Sequence, residues 1–185
     1  FAGDALWCTA RVTQSQHDIT LADAHPATED IGPVAGDEIQ AQFAFPNGVN
    51  ATFISRAKYR AVGGHWGLEL AGSKARARIL ADIFPAVLLA EESDWQPAGK
   101  TTAWRPWKDD PTLNASAEER SVRRANRRVV DDWLAAIKDD REPACSGRNG
   151  TKALEMAMAV FQAGLSGGRV KLPLAERGHP LIGKA

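Results

Sequence analysis

The chain has 185 residues, 44% hydrophobic and 25% charged, with 23 basic and 23 acidic side chains and a formal net charge of zero. A length and balance of this kind fit one soluble globular domain that buries roughly 70% of its unfolded surface. Zero net charge lacks the strongly basic footprint of a dedicated nucleic-acid binder and gives no reason to expect an anionic membrane as partner.

The chain opens Phe1-Ala2-Gly3-Asp4 and enters an apolar run almost at once, as a processed protein or a piece of a longer polypeptide would. No signal-peptide pattern is visible there. Residues 5–12, ALWCTARV, alternate Leu6, Cys8, Ala10 and Val12 with Trp7, Thr9 and Arg11, the period of a strand. Residues 14–36 are polar, carry Pro26 and Pro33, and read as a long loop or excursion. Residues 37–55 read as a hairpin, with Ile39, Ala41, Phe43 and Phe45 alternating up to Asn47-Gly48. As a two-residue type I′ turn, Asn47-Gly48 places Phe43 and Phe45 on one face and Phe53 on the other. The second hairpin is GHWGLELAGSKARARIL, residues 64–80, with Gly72 suited to the first central position of a type II′ turn. Residues 86–92, AVLLAEE, follow as another strand.

Between 93 and 117 the periodicity breaks, and Trp95, Trp104 and Trp107 sit among prolines in an irregular loop. The last third is helical. Val122, Val129, Val130, Trp133, Leu134 and Ile137 predict an amphipathic helix over 118–138. Leu154, Ala157, Met158, Phe161 and Leu165 predict a second, starting near Asn149 or Thr151 and stopped by Gly167-Gly168. The apolar run FPAVLLA, residues 84–90, is far too short to span a membrane. Strands first and helices last define an α+β fold, an open and mainly antiparallel sheet with helices on one face. With apolar groups on both faces of the first hairpin, the other face calls for a second subunit or domain.

Chemistry is sparse. Two cysteines, Cys8 in an apolar run and Cys145 in a loop, make no disulfide framework. The glycines at 63–67 lead into a strand and those at 164–168 end a helix, so neither cluster makes a nucleotide-binding loop. His17, Asp18, Asp23, His25, Glu29 and Asp30 are potential ligands in no established metal spacing; a solvated acidic loop is the plainer reading. Ser73 lacks a nucleophile elbow, and Cys145 has no histidine nearby in sequence. Arg120, Arg123, Arg124, Arg127 and Arg128 form a stripe away from the apolar face, balanced by Glu118, Glu119, Asp131 and Asp132. The loop tryptophans, with His65 and Trp66, are candidates to stack on a sugar or base; closing over the sheet or filling a subunit interface is the competing role.

Two stretches carry a resemblance. WGLELAGSKARARI, residues 66–79, resembles the strand-turn-strand of the C-terminal domain in the Gfo/Idh/MocA (glucose-fructose oxidoreductase/inositol dehydrogenase) family. VVDDWLAAIKDDREPACSGRNGTKALEMAMAVFQAGLSGGRVKLPL, residues 129–174, is similar to that family's ending, and the Pro46-Asn47-Gly48 hairpin also fits. The resemblance implies a bipartite oxidoreductase that passes hydride between a nicotinamide (NAD or NADP) and a sugar, polyol or related small molecule. The nucleotide sits in an N-terminal Rossmann domain. The C-terminal domain pairs subunits through its open sheet and helps wall the substrate pocket. The family's glycine fingerprint, Glu-Lys-Pro motif and Asp-x-x-x-His motif are not in these 185 residues, so no catalytic, nucleotide-binding or metal residue is assigned.

The expectation is thus a single substrate-side and oligomerisation domain over 1–185, not catalytically competent alone. It should bind no cofactor by itself, with His65, Trp66 and Trp104 as substrate-pocket candidates. A homo-oligomer, a sugar-like substrate in the full-length protein, no nucleic acid, no membrane and, by default, a cytoplasmic address go with it. A stand-alone binding or assembly module is the alternative, and a small metal enzyme built on residues 17–30 is a third.

Overall fold

The computed structural model describes residues 2–28, 31–57, 66–81, 86–92, 103–109, 116, 118–119 and 121–182. The chain forms two compact units, one made of residues 1–60 with 145–185 and the other of residues 61–144.

The first unit is built on β1 (Trp7–Gln14). Short β2 (His17–Asp18) folds back on its end, and β3 (His25–Pro26) pairs with β4 (Pro33–Val34) inside the long polar stretch. Then come β5 (Glu38–Ala44) and β6 (Asn50–Arg56), the predicted hairpin.

The turn between β5 and β6 differs from the sequence expectation. Asn47 and Gly48 do hold positive φ, 60° and 75°. The loop, however, has three residues, Pro46–Gly48, closed by the Phe45 amide donating to the Val49 carbonyl at 2.8 Å. One extra loop residue shifts the register by one and reverses every side chain on the return strand. Ala41 therefore faces Phe53, and Phe43 faces Ala51. Phe43 and Phe53 share a face, so the two-sided apolar hairpin expected from a two-residue turn is not formed. The opposite face of this sheet carries Thr9, Arg11, Gln40, Gln42 and Thr52, with Trp7 and Ile54 among them, and is mainly polar, as one wet side of an antiparallel sheet allows.

The second unit holds a four-stranded antiparallel sheet. Its strands are β7 (Trp66–Ala71), β8 (Arg76–Ala81), β9 (Ala86–Ala90) and the two-residue β10 (Arg105–Pro106), in the order β10-β9-β8-β7. The β7–β8 turn also slides by one from expectation. The Gly72 amide donates to the Ala75 carbonyl at 3.0 Å, which puts Ser73-Lys74 at the tip, and Gly72 is not among the glycines with positive φ. Helix α1 (Val122–Lys138) belongs to this unit. It starts four residues later than its apolar spacing predicts, because Ser121 caps it by accepting from the Arg124 amide at 3.3 Å.

Helix α2 (Gly147–Ser166) returns the chain to the first unit. Ser146 is its N-cap, accepting from the Asn149 amide at 3.2 Å, so the helix begins before the Asn149 or Thr151 predicted. Gly167 ends it at φ 64°. Strand β11 (Val170–Lys171) then pairs with β1, giving a sheet ordered β11-β1-β5-β6. Helix α2 lies on the apolar face of that sheet, and Cys8, Val12, Ala41, Phe43, Ala159, Val160, Phe161 and Ala163 form the core with Leu172, Leu174 and Leu181 of the tail. Gly164 permits the close approach: a Cβ there would stand 2.8 Å from Val12 Cγ2. The result is an α+β architecture of antiparallel sheets and two long helices, and among the described residues no helix is long and apolar enough to cross a membrane.

Candidate functional site

The polar face of the β7–β10 sheet gathers charge around one aromatic ring. Pairing of Glu69 with Arg78 and of Ala71 with Arg76 puts the three charged side chains on the same face. Glu69 Oε2 accepts from Arg78 Nη2 at 2.8 Å and from Nε at 3.2 Å, while Arg76 Nη1 lies 3.7 Å from Glu69 Oε1. Trp104, just before β10, brings its ring to this cluster. The Arg78 guanidinium carbon is 4.2 Å from the ring centroid and that of Arg76 is 5.3 Å away. Arg76 is almost fully buried, so its positive charge is held by the indole face and by Glu69 instead of bulk water. Such a surface offers hydrogen-bond donors and acceptors and an aromatic edge to a hydroxylated ligand. Among the described residues it contains no histidine or thiol.

The opposite face of the same sheet is apolar. Trp66, Leu68 and Leu70 pair with Ala81, Ile79 and Ala77, and Val87 and Leu89 continue the layer. Trp66 is 73% exposed and Leu68 51%. The three sequence candidates are thus not one constellation: Trp66 stands on the apolar face, Trp104 on the charged one, and His65 lies outside the described residues. Sequence reasoning missed Glu69, Arg76 and Arg78. The alternation in ELAGSKARAR placed them on one face, but nothing local tied that face to a tryptophan 26 residues beyond Arg78.

Elsewhere the described residues hold polar surface and several cavities. His17 Nε2 lies 3.2 Å from Asp23 Oδ1, and Asp23 is held below the usual carboxylate range chiefly by hydrogen bonds from the Thr20 amide and hydroxyl. Among the described residues no three His, Cys, Asp or Glu side chains are grouped to hold a metal. A cavity of about 590 Å³ beside the first turns of α2 is lined by Asp4, Arg148, Lys152, Glu155 and Arg177. Lys152 Nζ there donates to both Asp4 oxygens, at 2.6 and 2.8 Å. A second, of about 350 Å³, lies between α2 and the sheet and is lined by apolar side chains including Ile39, Phe43, Phe53 and Met156. Cys8 is fully buried, and burial pushes its thiol up to about 11; Cys145 is exposed, and both are free.

Residues 9–172 match a family described as the oxidoreductase family, C-terminal alpha/beta domain. The chain belongs to that family, the Gfo/Idh/MocA oxidoreductases. Among solved structures, it is similar to an aldose-aldose oxidoreductase from Caulobacter crescentus complexed with glycerol (20% identity, TM-score 0.57, covering 91% of this chain and 42% of that one). It is also similar to a levoglucosan dehydrogenase in complex with NADH and levoglucosan (15%, 0.61, 92% and 46%). A third is an oxidoreductase from Agrobacterium radiobacter in complex with NAD+, L-tartaric acid and magnesium (14%, 0.55, 92% and 44%). The chain spans less than half the length of each of these structures. No curated protein sequence matches it.

Proposed function

We propose that these 185 residues are the substrate-side and subunit-pairing domain of an NAD- or NADP-dependent oxidoreductase acting on a sugar, a polyol or a related small molecule. By themselves they neither hold the nucleotide tightly nor turn over. The observation that carries this reading is the family match over 9–172. It is supported by the likeness to oxidoreductases about twice as long, one solved with NADH and levoglucosan.

The substrate wall has two candidates on this chain. One is His65 with its sequence neighbour Trp66; the other is Trp104 with Glu69 and Arg78, whose carboxylate and guanidinium suit vicinal hydroxyls. Trp66 and the Trp104 cluster lie on opposite sheet faces, so at most one of them lines a single pocket. Pairing with a second copy suits the exposed apolar face that carries Trp66 and Leu68, not the polar face of β1, β5 and β6.

The test is steady-state kinetics on an enzyme carrying this chain behind its nucleotide-binding half. Trp104→Ala or Trp66→Ala should raise KM for the sugar about tenfold, the cost of one lost ring contact of roughly 1–2 kcal/mol, with KM for the nucleotide unchanged. Sugar KM and kcat unchanged in both, and in His65→Ala, would remove all three from the pocket.

A further inference from the structure

Two arginines of β8 meet the Trp104 ring, and they stand differently toward solvent. Arg76 is 8% exposed, whereas 38% of the Arg78 side chain is open. The Arg76 guanidinium carbon lies 5.3 Å from the ring centroid, and its Nη1 lies 3.7 Å from Glu69 Oε1. Strand register sets the ring there. Arg105 and Pro106 pair with Leu89 and Leu88, and the Trp107 amide donates to the Val87 carbonyl at 2.9 Å, which fixes the backbone that follows Trp104. One residue back along that register Trp104 comes opposite Ala90, and Ala90 pairs with Arg76. Trp104, Ala90 and Arg76 thus form a row across three strands on one face, with the buried methyl group of Ala90 as its small middle member. Burying an arginine commonly costs more in desolvation than an ion pair returns, and an apolar side chain of similar volume is often neutral or stabilising in its place. Strand β8 carries aliphatic side chains at Ile79 and Leu80. What an arginine adds at position 76 is a flat cation against an indole face.

We propose that Arg76 is a positioning residue for the sugar pocket. It touches no substrate itself; it holds the Trp104 ring in one orientation, and the held ring, with the more open Arg78, meets the ligand. A surface tryptophan otherwise samples several rotamers, and ordering it at the moment of binding would weaken the sugar's affinity. Two guanidiniums and the Glu69 carboxylate that braces them do that ordering beforehand. This role rests on the oxidoreductase reading and on Trp104 as the wall of its pocket.

The test is Arg76→Met, read in two ways. Glu69 keeps both hydrogen bonds from Arg78 in this variant, so its carboxylate stays paired. In the 185-residue chain, the Trp104 indole N–H resonance is identified among the six tryptophans by its absence from Trp104→Phe. Arg76→Met displaces or broadens that resonance, while the urea midpoint stays at or above that of the wild type. In the enzyme carrying this chain behind its nucleotide-binding half, Arg76→Met raises KM for the sugar about fivefold, with kcat and the nucleotide KM unchanged. Added to Trp104→Ala it raises the sugar KM no further, because both changes act through one ring. Should Arg76→Met not fold, Arg76→Lys takes its place, keeping the cation and losing the planar face, with the same expected direction. An indole resonance left where it was, or a KM increase of equal size with and without the Trp104 ring, would overturn the proposal. If Trp104→Ala leaves the sugar KM unchanged while Arg76→Met still moves the resonance, the fault lies with Trp104 as the wall, and the pocket role of Arg76 falls with it.

Discussion

Cys8 shows how strongly the first unit's packing governs a single residue. Its side chain is fully buried in β1 facing Phe43, and burial raises its thiol to about 11. An unfolded thiol titrates near 8.5–9, so the neutral buried form favours folding below that pH. That contribution is lost as pH rises from about 9 through about 11. Thiol labelling at pH 8 should therefore modify Cys145 within minutes and leave Cys8 untouched until the chain is unfolded. Equal labelling of both in the native chain would mean that the β1–α2 core is not formed as described. Asp132 is the acidic counterpart: Arg141 first, then the Ala144 amide, holds its carboxylate below the usual range, so its contribution is present at neutral pH and fades in strong acid. Trp104, by contrast, has its ring engaged by Arg78, which makes it a strap on the sheet as well as a proposed pocket wall.

At the scale of elements, the β5–β6 register decides which side chains face α2. Phe53, opposite Ala41, turns toward the helix, while Ile54, opposite Gln40, turns away. Phe53→Ala should lower the unfolding free energy by about 1–2 kcal/mol in urea titrations, since its ring is half-buried. Ile54→Thr should stay within about 0.5 kcal/mol. The reverse ranking would restore the register of a two-residue turn. The strands and helices themselves were legible: alternation marked β1, β5 and β7, and the 3.6-residue spacing marked α1 and α2. Turn lengths were not. Asn47-Gly48 announced positive φ, which both residues have, but composition does not say whether Pro46 belongs to the strand or to the loop. The start of α2 was obscured because Gly147 and Gly150 are weak helix formers. Glycine is tolerated in a first turn, where Ser146 satisfies one of the free amides. The Glu69–Arg76–Arg78–Trp104 cluster was illegible for another reason, because its ring arrives from a segment with no periodicity of its own.

At the scale of the molecule, the family is shown by residues 9–172, yet the chain covers only 42–46% of the oxidoreductases whose fold it shares. Those oxidoreductases were solved with NADH, NAD+, glycerol, levoglucosan or L-tartaric acid. What the 185 residues contribute in this account is a platform: strands that present Trp66 on one side and the Trp104 cluster on the other, and a helix-backed sheet whose open face is mainly polar. In the proposed reading, oxidoreductase chemistry is completed by a nucleotide-binding half outside these residues. The direct measurement is calorimetric titration of NADH, and separately NADPH, into the purified 185-residue chain. The account predicts no saturable heat up to millimolar nucleotide; a dissociation constant in the micromolar range would contradict it.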